Sequence, residues 1–128
     1  MFTAEQIKAA HSKVKSGADF PAYIREIKGL GVTQYEAFVA DGHITYYGDE
    51  NQATTPPKYV PVVVGAYADT TSFIAELKAH QKGETDFMHF IMRCAELGIN
   101  KWCISMVAMT CTYFDRDGKE VLIELIPD

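Results

Sequence analysis

The sequence lacks the features of a secreted, membrane-spanning or disulfide-stabilised protein. Only three of its 128 residues are cysteines, an odd number at irregular spacing, which argues against a disulfide framework. The longest apolar stretch, Val60 to Ala68, is interrupted by Pro61 and Gly65 and is too short to span a bilayer. The first ten residues contain no charged segment followed by an apolar run, so no secretory signal is expected. We therefore expect a cytoplasmic protein.

The chain also lacks an excess of positive charge and a metal-binding motif. Its 12 basic and 17 acidic residues give a formal net charge of -5 and are spread evenly over both halves. No basic stripe is available for phosphates, so neither nucleic acid nor a membrane surface is expected as a partner. The four histidines lack the spacing of a zinc site and no CxxC occurs, so no metal and no cofactor are predicted. What remains is ordinary globular composition, 48% apolar and 23% charged.

Helix and strand signals occur twice in the same order. In the first half, Thr3-Ala-Glu-Gln6 has the spacing of a capping box, and Asp19 precedes a second helix after a stop at Gly17. A polar loop from Gly48 to Pro57 separates the second predicted strand from the third. The three strands are predicted at Val32–Ala40, His43–Tyr47 and Lys58–Val64, with a two-residue turn at Asp41-Gly42.

The second half repeats this order. Helices are predicted to begin after Thr70 and after Thr85 or Asp86. The predicted strands are Lys101–Val107, Thr110–Asp115 and Lys119–Ile126.

A shift of the sequence by 67 positions aligns the two halves with more identities than composition predicts. The matched residues include Thr3 with Thr70, Ile7 with Ile74, Phe20 with Phe87, Ile24 with Ile91, Gly31 with Gly98 and Tyr46 with Tyr113. The third strands match at an offset of 61, which places six extra residues in the Gly48–Pro57 loop. We therefore predict one α+β domain, residues 1–128, made of two ααβββ repeats (1–67 and 68–128). Its strands are antiparallel and its helices pack on one face.

The alignment also predicts the faces of the sheet. It places Ala108-Met109 opposite Asp41-Gly42, so Val107 should face Thr110. Alternation then assigns one apolar face to the helices: Tyr35, Ala37, Val39, Ile44, Tyr46, Trp102, Ile104, Met106, Cys111 and Tyr113. The opposite face, here called the mixed face, carries Glu36, Phe38, Ala40, His43, Thr45, Tyr47, Cys103, Ser105, Val107, Thr110, Thr112 and Phe114.

The mixed face is the predicted ligand-binding surface because it combines aromatic rings with polar groups. Its candidate residues are Glu36, His43 and Tyr47 from one hairpin, with Cys103 and Thr112 from the second half. An alternative is an enzyme site around His43, Glu36 and Cys103, with a thiolate activated by His43. Ordinary packing is the other interpretation of these aromatic pairs.

Histidines and methionines on the helices suggest further roles. His11 and His80 lie on or beside apolar stripes and are expected to be partly buried against backbone carbonyls. Met88 and Met92 form a second apolar stripe on the helix that contains Phe87, which predicts a homodimer interface.

Three segments resemble a known family: Lys13-Val-Lys-Ser-Gly-Ala-Asp-Phe-Pro21, Ala79-His-Gln-Lys-Gly83 and Met109-Thr-Cys-Thr-Tyr113. The chain is similar over its whole length to small uncharacterised bacterial proteins often labelled "phage envelope protein". The resemblance implies a domain of unknown function, without an activity or catalytic residues. Three hypotheses follow: a non-enzymatic binding or accessory protein acting as a homodimer, a small-molecule enzyme, and a prophage-derived structural component.

Overall fold

The computed structural model describes residues 2–14 and 19–126, a mixed α+β fold; the predicted stop at Gly17 lies outside these residues. The described part contains four helices and six strands in the predicted order. They are α1 Ala4–His11, α2 Phe20–Gly29, β1 Val32–Phe38, β2 Ile44–Gly48, β3 Gln52–Thr54, α3 Thr70–Gln81, α4 Phe87–Glu96, β4 Lys101–Ser105, β5 Thr110–Phe114 and β6 Glu120–Leu125. None of the described helices is long and apolar enough to cross a membrane.

The helix starts follow from local side-chain chemistry. The predicted capping box of α1 is confirmed: the Thr3 hydroxyl accepts from the Gln6 amide at 3.2 Å, and the Gln6 side chain accepts from the Thr3 amide at 2.8 Å. Helix α3 begins one residue earlier than predicted, because the Asp69 carboxylate caps it by accepting from the Ser72 amide. Asp86, one of the two predicted alternatives, caps α4.

All six strands form one antiparallel sheet in the order β3-β2-β1-β4-β5-β6. The two halves of the chain meet where β1 pairs with β4, with Glu36 opposite Cys103 and Ala37 opposite Trp102. The central strands therefore come from different halves, and the edge strands β3 and β6 are the last strands of each half.

Both hairpins are shifted by two residues from the predicted register. Ser105, not Val107, pairs with Thr110, and the connection spans residues 106–109. In the first hairpin Phe38 bonds to His43 across residues 39–42. A shift of two keeps every side chain on its predicted face, because strand side chains alternate with a period of two.

The prediction of a strand at Lys58–Val64 was wrong. The third strand of the first half is instead Gln52–Thr54, inside the segment predicted to be a loop. Residues 58–68, here called the strap, have no strand pairing, because Pro61 lacks a donor and Val60 and Val63 are exposed. The strap bonds to the end of the first hairpin through Lys58 and to α4 through Gly65, whose amide donates to Ala95.

The helices cover the predicted apolar face. Of its ten residues nine are buried, and Trp102 is half-buried. Helix α2 reaches this face through Tyr23, whose hydroxyl lies 3.0 Å from that of Tyr46, and α3 reaches it through Phe73, which packs edge-on against Tyr113. On the mixed face Thr45 is buried and the other residues are partly or fully exposed.

The contact between the strap and the first hairpin can be tested at Gly42. Its φ is +78°, and a Cβ there would lie 2.6 Å from the ring of Tyr59. We expect Gly42→Ala to lower the free energy of unfolding by about 2–3 kcal/mol, because a left-handed backbone strain of about 1 kcal/mol is added to the clash. Gly118→Ala is the matched control, since Gly118 has a φ of +82° and open space around it, and it should cost only about 1 kcal/mol. Equal losses in urea unfolding would show that the strap is not packed against Gly42.

Candidate functional site

Four of the five predicted ligand-binding residues lie together at the centre of the mixed face. Glu36 of β1 stands opposite Cys103 of β4, which stands opposite Thr112 of β5. The Tyr47 hydroxyl donates to the Glu36 carboxylate at 2.9 Å, and the Lys101 ammonium donates to its other oxygen. The Lys101 ammonium also lies 5.7 Å from the ring centre of Phe38 and 5.4 Å from that of Phe114.

The fifth predicted residue, His43, has partners of its own at the end of the hairpin. Its Nδ1 lies 2.6 Å from the Asp41 carboxylate, and its ring stacks on Phe38 with the ring centres 4.3 Å apart. This pair lowers the pKa of Asp41, chiefly through the backbone and side-chain hydrogen bonds from His43. His43 is therefore engaged by Asp41, and within the described residues no hydrogen bond or ion pair joins it to Cys103.

The chemistry of the three thiols disfavours a nucleophile. Burial raises the pKa of Cys103, and the nearby Glu36 carboxylate raises it further, against the opposing effect of Lys101. Burial also raises the pKa of Cys111 to about 12 and that of Cys94 well above its usual range. A thiol with a raised pKa has little thiolate at neutral pH, and the thiolate is the reactive form.

Glu36 is the electrostatic centre of the mixed face. Burial acts to raise its pKa, but the hydrogen bonds from Lys101 and Tyr47 and the charge of Lys101 outweigh that effect and lower it. The Glu36 and Lys101 side chains are only 19% and 26% exposed, so the pair is poorly screened by water.

The lowered pKa predicts a pH-dependent contribution of Glu36 to stability. The contribution is present above the pKa of the unfolded state, about 4.3, and is lost as the pH falls through the lower pKa of the folded state. Glu36→Gln should cost about 1–2 kcal/mol at pH 7, and the difference should disappear once the pH has fallen through the lowered pKa of the folded state, where wild-type Glu36 is also neutral. The exposed Glu84 provides the control Glu84→Gln, which should change urea unfolding little at either pH. A constant difference across the pH range would contradict the pairing.

A second candidate site lies on the helix-bearing side of the sheet and was not predicted from the sequence. It consists of a cavity of about 790 Å³ beside α1, β3 and the start of the strap, and a smaller one of about 300 Å³ over β1 and β4. Four residues line both cavities: His11, Tyr46, Lys58 and Phe87. The two cavities are therefore neighbours and are called the cleft below.

The walls of the cleft combine aromatic, aliphatic and polar side chains and come from both halves of the chain. Tyr23, Tyr46 and Tyr59 are contributed by the first half, and Phe87 and Trp102 by the second. Burial raises the pKa of Tyr23 far above its usual range and that of Tyr46 above 10. Both phenols are therefore neutral at physiological pH, and their hydroxyls lie 3.0 Å apart. The walls combine flat apolar surfaces with neutral hydroxyls and a few ionisable side chains, among them His11 and Lys58, and a mostly apolar lining with few polar groups is typical of small-molecule sites.

The strap completes the cleft. The Lys58 amide donates to the Asp41 carbonyl at 2.8 Å, and the Tyr59 hydroxyl donates to the Val39 carbonyl at 2.6 Å. These bonds hold Lys58 and Tyr59 over the edge of the cleft. The segment was predicted to be a strand, and a strand prediction does not indicate that its side chains line a cavity together with those of α1 and α4.

His80 and His11, the two histidines expected to be partly buried, differ in their exposure. His80 agrees with prediction: its Nδ1 lies 3.2 Å from the Thr85 carbonyl, and its ring stacks on Phe90. His11 is instead an exposed residue at the edge of the cleft, with its ring edge-on to Tyr23 at 5.4 Å between centres. In residues 2–14 and 19–126, no three His, Cys, Asp or Glu side chains form a group that could hold a metal ion.

Residues 8–125 match the family described as "Protein of unknown function (DUF1398)". The chain belongs to this family. The prediction of a domain of unknown function is confirmed, whereas the match does not bear on the "phage envelope protein" label. No curated protein matches the chain. The match to DUF1398 covers almost the whole fold and brings no assigned activity.

Proposed function

We propose that this member of DUF1398 is a non-enzymatic small-molecule-binding protein whose ligand occupies the cleft. The observation that carries the proposal is the cleft itself, about 790 Å³ and 300 Å³ in two neighbouring cavities lined mainly by aromatic and aliphatic side chains. Volumes of 300–1,000 Å³ are typical of sites for small ligands. The raised pKa values of the thiols support binding without nucleophilic catalysis.

The packing around the cleft also supports a preformed site. Its floor contains Tyr35, Ile44 and Tyr46, which are buried and held in the sheet. Tyr46 is fixed by its hydroxyl contact with Tyr23 and by packing against Tyr35, with the ring centres 5.1 Å apart. A ligand would therefore enter between side chains that are already ordered, which lowers the entropic cost of binding.

Binding can be tested with the neutral fluorescent probe N-phenyl-1-naphthylamine and the substitution Ala53→Trp. Ala53 lines the larger cavity, opposite Tyr46 in the neighbouring strand, so a large side chain there would fill the space. We expect wild-type protein to bind the probe and Ala53→Trp to weaken binding about tenfold, because the probe and the indole would compete for one volume.

Gln52→Trp is the matched control. Gln52 is exposed, precedes Ala53 on the same edge strand and does not line the cleft. It should leave the dissociation constant unchanged. Equal affinities of Ala53→Trp and wild-type protein would contradict a ligand in the cleft.

The mixed face is a second candidate binding surface. It is favoured by the partly exposed rings of Phe38 and Phe114 on either side of Lys101, next to Glu36, Tyr47, Cys103 and Thr112. In this alternative, His43 adds a ring at the end of the hairpin. Probe binding that is insensitive to Ala53→Trp but is weakened by Tyr47→Phe would select the mixed face.

The proposal includes a homodimer formed through α4. Phe87, Met88 and Met92 are 46%, 41% and 46% exposed, which is unusual for three large apolar side chains on one helix. Phe87 also lines the cleft, so an interface on this side of α4 would lie beside the ligand.

The homodimer predicts a concentration-dependent change in mass that depends on the two methionines. Sedimentation at high micromolar concentration should show a dimer for wild-type protein and a monomer for the double variant Met88→Glu/Met92→Glu, because two carboxylates would have to be buried in the interface. Val107→Glu replaces an 82% exposed apolar side chain on the mixed face and should remain dimeric. A monomeric wild-type protein would contradict the proposal.

We also infer that the chain arose by duplication of an ααβββ unit. The same shift of 67 positions that aligns the sequences places the hairpin connection 39–42 on 106–109. Gly42 and Met109 occupy equivalent positions and both have a positive φ, +78° and +53°. Met109 is the one non-glycine residue with a positive φ in the described residues, which supports an inherited backbone conformation.

A further inference from the structure

We propose that the ligand of the cleft carries a carboxylate on an aromatic body, and that His11 and Lys58 bind this carboxylate where the two cavities meet. This inference rests on the proposed function and adds the chemical class of the ligand. It starts from the position of the two basic side chains, which are two of the four residues common to both cavities.

The charge at this junction is not neutralised by the protein. In residues 2–14 and 19–126, the ion pairs involve Lys13, His43, His89, Arg93 and Lys101, and none includes Lys58 or His11. The Lys58 ammonium likewise forms no hydrogen bond to a side chain within these ranges. It therefore has three donors available for a bound oxygen.

Lys58 also influences His11. Although His11 is exposed overall, partial shielding from water lowers the pKa of its ring, and the positive charge of Lys58 lowers it further, so the two side chains are close enough to repel when both are charged. Although Lys58 is exposed overall, partial shielding from water lowers the pKa of its ammonium. An anion between them would relieve the repulsion and stabilise both charged forms.

Among the described residues that line the cleft, Glu5 is the one acidic residue, and it lines only the larger cavity. Glu5 lines the larger cavity from the first turn of α1, whereas His11 is the last residue of that helix. The two residues are six positions apart in the helix, which corresponds to about 9 Å along its axis. Lys8 lies one turn from Glu5 on the same wall and adds a third basic group to the larger cavity.

The remaining walls define the rest of the ligand. Tyr46 and Phe87 stand beside His11 and Lys58 at the junction, and Tyr59 and Trp102 line the smaller cavity beyond. Flat rings of this kind favour stacking or edge contacts with an aromatic body. A single carboxylate suits the site better than a phosphate dianion, because one lysine and one weakly basic histidine supply only one to two positive charges.

The contribution of the carboxylate to affinity can be measured separately from that of the aromatic body by isothermal titration calorimetry with 2-naphthoate and 2-naphthylmethanol. The two probes share the ring system, and only the first carries a carboxylate. We expect wild-type protein at pH 6.5 to bind 2-naphthoate about tenfold more tightly than the alcohol, the difference expected of a charge-assisted contact. Lys58→Met and His11→Gln should each reduce this preference at least about threefold while leaving the affinity for the alcohol unchanged.

Two further variants control for net charge and for loss of the side chain. Lys28→Met removes a lysine from the last turn of α2, outside the cleft lining, and should not change the preference. Lys58→Arg keeps the positive charge and should retain most of the preference for 2-naphthoate over the alcohol. Melting temperatures close to wild type are expected for all variants, because the altered side chains are exposed.

The outcomes distinguish this inference from the proposed function. Equal affinities for the two probes, or an equal loss for both probes in Lys58→Met, would overturn the carboxylate assignment while the neutral probe still binds in an Ala53-dependent manner. If neither naphthalene compound nor N-phenyl-1-naphthylamine binds, the proposed function fails and this inference fails with it.

Discussion

The pairing of β1 with β4 is the contact on which the rest of the structure depends. It joins the two halves of the chain into a single six-stranded sheet, with each half contributing three consecutive strands. Each half also places its two helices on the same face of that sheet, and those helices contact mainly each other: α1 with α2, and α3 with α4. Two helix pairs on one continuous sheet leave a space between them over the central strands. The smaller cavity of the cleft lies in this space and is therefore a consequence of how the halves join, whereas the larger cavity lies beside the edge strand β3.

The same arrangement explains why the mixed face is polar at its centre. The helices bury one face of the sheet. The polar groups on the opposite face therefore find their hydrogen-bond partners within the sheet or in water. Glu36, Tyr47 and Lys101 do so across three adjacent strands, β2, β1 and β4. This network links the two halves on the side of the sheet that the helices do not cover.

Sequence patterns predicted the parts of this fold that depend on local chemistry. The caps of α1 and α4, the order of the elements and the faces of the strands were correct, whereas α3 is capped by Asp69 and not by Thr70, and Asp19 makes no side-chain cap hydrogen bond. The predicted faces remained correct despite the register error, because a shift of two residues preserves alternation. The prediction of a strand at Lys58–Val64 was wrong. Its apolar residues resemble those of a strand, but Pro61 has no amide hydrogen to donate, and the segment pairs with no other strand. The predicted residues of the mixed face lie together, with the exception of His43. Its ring pairs with the carboxylate of Asp41, two positions away in the chain. The cleft depends on contacts between α1, the strap and α4, which no local pattern encodes.

The strap has a consequence for how a molecule could sit in the cleft. Two equal halves alone would form a symmetric groove, in which a bound molecule could lie in either of two equivalent directions. The strap removes this equivalence, because it places Lys58 where the two cavities meet and Tyr59 beside the smaller one, and then continues to α4 through Gly65. The connecting chain therefore supplies a basic group on one side of the groove and has no counterpart in the other half. A guest molecule with unlike ends would thus have a single polarity, imposed by the connector between the halves.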